Sequence, residues 1–464
     1  MFLSGDYRLK YDVVVVGAGV AGLNTAYEIA SKGFNVAIIE SKPRNRIGDK
    51  TCGDAIGTHH FNELGWKPSE DIIDHIYSGV KIYDPTEEYA IEVPGEGVSV
   101  NRIKFGQWLL KRALDHGAIL LDRHVLLKIV VSNNFVVKAL VKESGKPGLK
   151  EVEGKVFVDA SGAKPALRTK LPLEWPVSER PYMTDYNIAY REVVELEKPL
   201  EKDIEYAVIY LNTEIAPGGY WWFFPKSRDG LIVNVGLGVI WDGKYNPRFN
   251  YERYLRKRFS GKLIHRGGGL VPTRRPLPTL VWRNVVVVGD AAYTVNPVHG
   301  GGIGSSLLAS SIVSKYIIES LEKGVINEET MWGMNREYMV AYGAKQASLD
   351  ILRMYLQKLS DEDFTWLIKN RIVDGESIYM LSSKADLARE IVHNISSMLR
   401  LLGKPSILNQ LRTLKKYMDL VKKLYLDNYP DKPSELAKWI VEVERIYDKY
   451  RSIIGYDPGE RVKW

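Results

Sequence analysis

Apolar runs broken by glycine turns organise this chain. In "YDVVVVGAGVAGLNTAYEIASKGFNVAIIE" an apolar run of strand length enters Gly17-x-Gly19-x-x-Gly22, a helical pattern closes on Gly33, and a second apolar strand ends in Glu40. "WRNVVVVGDAAYTVNPVHGGGIGSSLLASSIVSKYIIESLEKG" repeats that logic, with Asp290 at the end of a buried strand and Gly300, Gly301 and Gly302 opening a long helix. Between the two, "EYAVIYL", "YWWFFP" and "GLIVNVGLGVI" read as apolar-rich strands separated by the turn signals "APGG" and "KSRDG", which predicts an antiparallel sheet standing apart from the first unit. After about residue 325 the pattern turns helical and lysine-rich. In a helix from Ser406, the residues Ile407, Leu411, Leu414, Met418, Val421 and Tyr425 recur at alternating four and three steps, with Arg412, Lys415, Lys416, Lys422 and Lys423 mostly elsewhere around it.

Composition narrows the chemistry. The 464 residues are 45% hydrophobic and 26% charged, as in an ordinary globular protein of two or three domains. No apolar stretch reaches the roughly 18 residues of a membrane span, and "MFLSGDYRLKYD" lacks the apolar middle of a signal peptide, so a cytoplasmic location is expected. One cysteine, Cys52, excludes an internal disulfide and an iron–sulfur cluster, and eight histidines without ligand spacing give no metal site. Redox chemistry here needs an organic cofactor. A net charge of +7 suits an anionic partner without choosing which.

Spacing supplies the cofactor's class. In the first unit, the first glycine permits a tight turn, the second lets the backbone approach a pyrophosphate, and the third lets helix and strand pack closely. The helix N-terminus offers free N–H groups, and Glu40 would accept from ribose hydroxyls while repelling a 2′-phosphate, which disfavours NADP. FAD and NAD both remain open on this unit alone. The second unit separates them: Asp290 suits a flavin ribityl hydroxyl, and the helix after Gly302 turns its positive end toward a flavin N1–C2=O edge.

The stretch "PGGYWWFFPK" places Tyr220, Trp222 and Phe224 on one face of a strand and Trp221 and Phe223 on the other. Three aromatics followed by Pro225 make a poor interior strand but a good cavity wall, the alternative being that the whole stretch is sheet core.

Five pieces together carry a resemblance: GAGVAG with Glu40, "TCGDAIG", "VNRIKFGQWLL", "VDASGAKPALR" and "VGDAAYTVNPVHGGGIG". Over most of residues 10 to 330 the chain resembles the geranylgeranyl reductase family, within the larger group of FAD enzymes similar to the aromatic hydroxylases. The family's Tyr-x-Trp-x-Phe-Pro element matches Tyr220, Trp222, Phe224 and Pro225. The resemblance implies an α/β fold: a Rossmann-like FAD-binding domain over 1–175 and 265–325, an inserted antiparallel-sheet substrate domain over 176–264, and a C-terminal helical region over 326–464. It places the adenosine and pyrophosphate on Gly17, Gly19, Ala21, Gly22, Glu40 and Arg102, and the flavin end near Cys52, Gly53, Ala55, Asp290, Gly302 and Ile303. "DASG" counts as structural, closing the nucleotide fold. One departure is Gly106, where the family pattern has an aspartate, which leaves the cap of that helix unassigned.

The implied activity is reduction of carbon–carbon double bonds in geranylgeranyl chains, on diether phospholipid precursors or on geranylgeranyl diphosphate. An isolated alkene has no carbonyl to take up charge, so hydride from flavin N5 must be joined by a proton, and aromatic faces can stabilise the positive carbon by about 0.5–2 kcal/mol each. Tyr220, Cys52, His299 or a water can supply that proton. The chain has no second nucleotide module, so the electron donor, NAD(P)H or a small carrier, is external. The basic amphipathic helix allows peripheral contact with an anionic membrane or simple packing on the domain. Two other functions fit the same framework: an FAD monooxygenase acting on an apolar substrate, and a non-catalytic lipid-binding flavoprotein. Nucleic-acid binding has no recognisable module.

Overall fold

Valine-rich runs with no helical periodicity pair side by side at the centre of the molecule. In the computed structural model, which describes residues 9–384 and 404–464, the strands Leu9–Val16, Val36–Ile39, Ile119–Leu121, Lys150–Asp159 and Val285–Val287 form one parallel stack. Val13, Val14 and Val15 are fully buried in it, as parallel strands covered on both faces require. The antiparallel hairpin His124–Ser132 and Phe135–Glu143 branches from Lys150–Asp159. Val20–Ala30 is the crossover helix, and the glycine-run helix Ile303–Lys323 lies against it through Asn24 Nδ2, which donates to Ser310 Oγ at 2.9 Å.

The second sheet runs Gly261–Pro272, Tyr186–Leu196, Ile232–Ile240, Tyr220–Pro225, Tyr206–Tyr210, Ile73–Tyr83, Ala90–Val100 and Ala55–Gly57. Its pairs are antiparallel except Tyr206–Tyr210 with Ile73–Tyr83. Residues 55–100 contribute three of its strands although they fall inside the segment 1–175 assigned above to the nucleotide fold, and Gly261–Pro272 carries it past residue 264. The sheet is thus closed by chain that precedes the aromatic strand by more than a hundred residues, a pairing no local pattern displays.

Ala344–Leu356, Pro405–Asp427 and Leu436–Ile454 form a helical layer. Ile407, Leu414, Met418, Val421 and Tyr425 are all buried, and Met418 O accepts from Ser348 Oγ at 3.2 Å. The apolar face of the basic helix is therefore covered by its neighbours, the packing alternative of the two weighed above. Among the described residues no helix is long and apolar enough to cross a membrane. Residues 1–8, part of the opening segment read for a signal peptide, and 385–403, part of the C-terminal helical region, lie outside the described residues.

Candidate active site

The fingerprint turn is built by contact. Gly17 has φ 107°, a left-handed conformation, and a β-carbon there would stand 2.4 Å from Ala160 O of "DASG". One on Gly22 would stand 2.0 Å from Gly17 O, so the first and third glycines exist for backbone contact, whereas over Gly19 there is open space. Glu40 braces the turn, its Oε2 accepting from Ala18 N at 2.8 Å. Asp159 is spent inside the fold, accepting from the amides of Ser161, Leu167 and Arg168.

Arg102 begins the helix Arg102–Asp115, and the unassigned cap is Asn101, whose Oδ1 accepts from Lys104 N at 3.1 Å. Gly106 has another purpose: a β-carbon on it would lie 2.3 Å from Gly48 Cα, so the glycine lets helix and loop touch. Arg102 Nε and Nη1 are buried without a hydrogen-bond partner. Unmet guanidinium donors on a helix packed against Val20–Ala30 fit the pyrophosphate of FAD, which would satisfy them.

The second glycine unit meets the first. A β-carbon on Gly289 would stand 2.9 Å from Ala21 Cβ, and one on Gly302, the N-cap of Ile303–Lys323, 3.4 Å from Asp290 Oδ1. Asp290 Oδ2 pairs with Lys50 Nζ at 2.7 Å, which brings the loop preceding Cys52 over this end. Ile303 is buried, and Ala55 starts the short strand paired to Ser99.

Alternation along Tyr220–Pro225 sorts the aromatics. Trp221 and Phe223 pack into a core with Tyr210, Tyr251 and Leu255, Trp221 lying parallel on Tyr210 at 3.8 Å. Trp222 and Phe224 belong to a separate cluster with Tyr77 and Ala207, against which Tyr220 and Ala55 rest. A β-carbon on Gly53 would lie 2.9 Å from Phe224 Cε2, so this face and the Cys52 loop are in contact. Tyr220 OH donates to His299 O at 2.6 Å, joining the strand to the glycine run. Pro225 is buried, its carbonyl accepting from Tyr77 OH at 2.7 Å.

Two candidate proton donors are constrained. His299 accepts from Gly301 N through Nδ1 at 3.1 Å, which leaves its proton on Nε2. Although the ring reaches solvent, surrounding protein and then Lys345 hold its pKa down to about 4, so the imidazole is neutral at physiological pH. Burial, and then the nearby Cys52, push the Tyr220 phenol well above its usual range. Cys52 carries a free thiol.

Three further residues stand here that the sequence did not single out: Asp54, Lys226 and Asn234. Asn234 is the polar interruption in "IVNVGLG" and Lys226 follows the aromatic strand's proline directly. Both were visible as breaks in an apolar pattern, but nothing local told them from surface residues.

A fold with a glycine-fingerprint turn, a second glycine run converging on it and an aromatic sheet overhead defines a flavin-dependent oxidoreductase of Rossmann type. The sequence profile of the geranylgeranyl reductase catalytic domain matches residues 185–271, and that of lycopene cyclase protein matches 12–205. Digeranylgeranylglycerophospholipid reductase of Sulfolobus acidocaldarius is 39% identical over 455 residues, 97% of this chain and 100% of that protein. Digeranylgeranylglycerophospholipid reductase 2 of Methanopyrus kandleri is 28% identical over 83% of this chain and 99% of its own length. Among solved structures, a geranylgeranyl bacteriochlorophyll reductase-like protein of Thermoplasma acidophilum matches with TM-score 0.73 at 22% identity, covering 88% of this chain and 100% of that one. Flavin-dependent brominase Bmp2 shares the fold at TM-score 0.63 and 18% identity, covering 95% of this chain and 99% of its own. The chain belongs to the geranylgeranyl reductase family of FAD-dependent oxidoreductases.

Proposed function

We propose that this enzyme saturates the geranylgeranyl chains of a digeranylgeranylglycerophospholipid, the substrate in the names of the relatives above. The observation that carries this is the contact between the Tyr220, Trp222 and Phe224 face and the Cys52–Gly53 loop, with Tyr220 tied to His299. An apolar aromatic wall then stands at the end of the protein where Asp290 and Gly302 receive the flavin. At about 25 cal/mol per Å² of apolar surface, a twenty-carbon chain has ample reason to leave water for such a wall. FAD, when bound and reduced, supplies hydride from N5. The aromatic side chains hold the alkene, exclude water and stabilise positive charge on carbon. Tyr220 gives its hydrogen bond to His299 O, and its raised pKa makes the phenol a poor acid. His299 is neutral, so it offers no imidazolium. The Cys52 thiol is left as the side chain that delivers the proton. Gly17, Gly19, Ala21, Gly22, Glu40 and Arg102 hold the adenosine and pyrophosphate in this reading. An external donor, NAD(P)H or a small carrier, reduces the flavin.

The test is anaerobic: the dithionite-reduced yellow protein is mixed with a geranylgeranyl phospholipid and flavin absorbance is followed with mass spectrometry of the lipid. Reoxidation, with two hydrogens gained per double bond, is expected. A flavin that stays reduced until air is admitted, and then adds oxygen to the lipid, overturns the reductase in favour of a monooxygenase.

A further inference from the structure

A buried polar clamp joins the aromatic strand to the loop that carries Cys52. Asn234 is fully buried and stands opposite Phe224 in the neighbouring strand. Its Oδ1 accepts from Trp222 Nε1 at 3.2 Å, while its Nδ2 donates to Cys52 O at 2.9 Å and to Asp54 Oδ2 at 3.1 Å. Lys226, one residue past the aromatic strand, reaches the same carboxylate oxygen: Nζ lies 3.0 Å from Asp54 Oδ2, 3.0 Å from Asp74 Oδ2 and 3.1 Å from Ser99 Oγ. Asp54 itself has φ 67°, a left-handed backbone that aspartate adopts more readily than most side chains and that aims its carboxylate at these partners. Charge burial of this kind costs stability unless the partners stay in place, so it is a poor way merely to fill a core. It does fix one geometry, because each donor of Asn234 has a single acceptor within reach.

We propose that Asn234 and Lys226 are positioning residues, which lock the loop 51–55 to the aromatic wall and so set the Cys52 thiol relative to the substrate's double bond. This rests on the reading of Cys52 as proton donor. One amide then registers the cavity wall, through Trp222, against the acid, through the Cys52 carbonyl. The second sheet, rather than the nucleotide fold, dictates where the proton is delivered.

Cys52 is the chain's one cysteine, so alkylation of the oxidised FAD holoenzyme by iodoacetamide reports this loop alone. Asn234→Leu keeps the branched outline of the side chain and removes all three hydrogen bonds. Its expected effects, scaled by the loss of one or two buried bonds, are an alkylation rate raised about tenfold and a lipid-driven reoxidation slowed about tenfold, with KM for the lipid and the flavin spectrum unchanged. Lys226→Met should act in the same direction and Lys226→Arg should restore part of the rate. If Asn234→Leu does not fold, Asn234→Ser, too short to span its partners, gives the same comparison. Unchanged alkylation and reoxidation in the variants would overturn the clamp. So would a rise in KM with unchanged alkylation, since Asn234 would then act on the lipid through Trp222 alone. If the parent enzyme is not reoxidised by the lipid, the reductase reading fails, while the alkylation contrast still decides the clamp.

Discussion

Val13–Val16 and Val285–Val287 are buried valine runs joined through Lys150–Asp159, and at the fingerprint turn Gly17 and Gly22 let backbone meet backbone. Tyr220–Pro225 and Ile232–Ile240 are largely buried too but gather an asparagine, a lysine and two carboxylates against the aromatic strand. In the proposed function the first sheet offers its ligand N–H groups and Arg102, while its buried Asp159 and Asn284 are used inside the fold. In the same proposal the second holds side chains in register with a reacting bond, which takes directional partners. What distinguishes members of a shared fold is therefore expected in the side chains of the second sheet, since the brominase shares the fold over 95% of this chain.

The hardest test of that division uses the strand's two faces. Trp221 is 1% exposed and stacks on Tyr210, so Trp221→Ala should cost about 3–5 kcal/mol of stability, read from a urea midpoint. Trp222→Phe shortens the ring of the proposed wall and loses one hydrogen bond, so stability should fall by about 1 kcal/mol while KM for the lipid rises through the lost ring area, which Asn234→Leu leaves in place. Reversed outcomes would mean that the two faces have been exchanged.

Arg102 tests the other sheet. With its buried donors unmet by protein, Arg102→Ala should weaken FAD binding by about 1.5–3 kcal/mol, roughly 10- to 150-fold, by titration calorimetry of the apoprotein. Melting of the FAD-free protein should change little, because the protein itself does not use those donors. An unaltered FAD affinity would remove Arg102 from the pyrophosphate site.

Gly106 sharpens the comparison at smaller magnitude. Gly106→Asp restores the residue of the family pattern, yet it drives a β-carbon into Gly48 where Asn101 already caps the helix. A loss of about 1–3 kcal/mol is expected, as for other overpacked contacts. A gain in stability would show that the loop can withdraw and that the glycine contact is incidental.

These cases also show what the chain makes readable. Gly17, Gly22, Asp290 and Gly302 were legible because each demand is local: a turn, a strand end, a helix start. The alternation of Trp221 against Trp222 followed from the two-residue period of a strand. Strands Ile73–Tyr83 and Ala90–Val100 were assigned to the nucleotide fold because their pairing with Tyr206–Tyr210 depends on the tertiary fold. Asn234, Lys226 and Asp54 escaped for the same reason, since each finds its partners 12 to 182 residues away in the chain. The role of Gly106 likewise became visible only with Gly48 against it.

The smallest effect expected is in pH dependence, at the point where the two regions meet. His60 packs over Gly304 in the first turn of the glycine-run helix and leans at 42° against His59, the ring centroids 3.9 Å apart. Burial, then the neighbouring His59, Lys345 and His299, hold its pKa down to about 4. An unfolded histidine titrates near pH 6.5, so between about 6.5 and 4 the unfolded chain takes a proton that the native ring refuses. Stability is accordingly full above that window and falls as the pH is lowered through it. His299, held down in the same way, adds to the slope. Melting of the FAD holoenzyme against pH should therefore fall less steeply for His60→Gln than for the parent, and parallel curves would mean that His60 is protonated in the native state. Over the same range kcat should show no loss of activity on raising the pH through 6.5. Such a loss would identify an imidazolium donor and return the proton from Cys52 to His299.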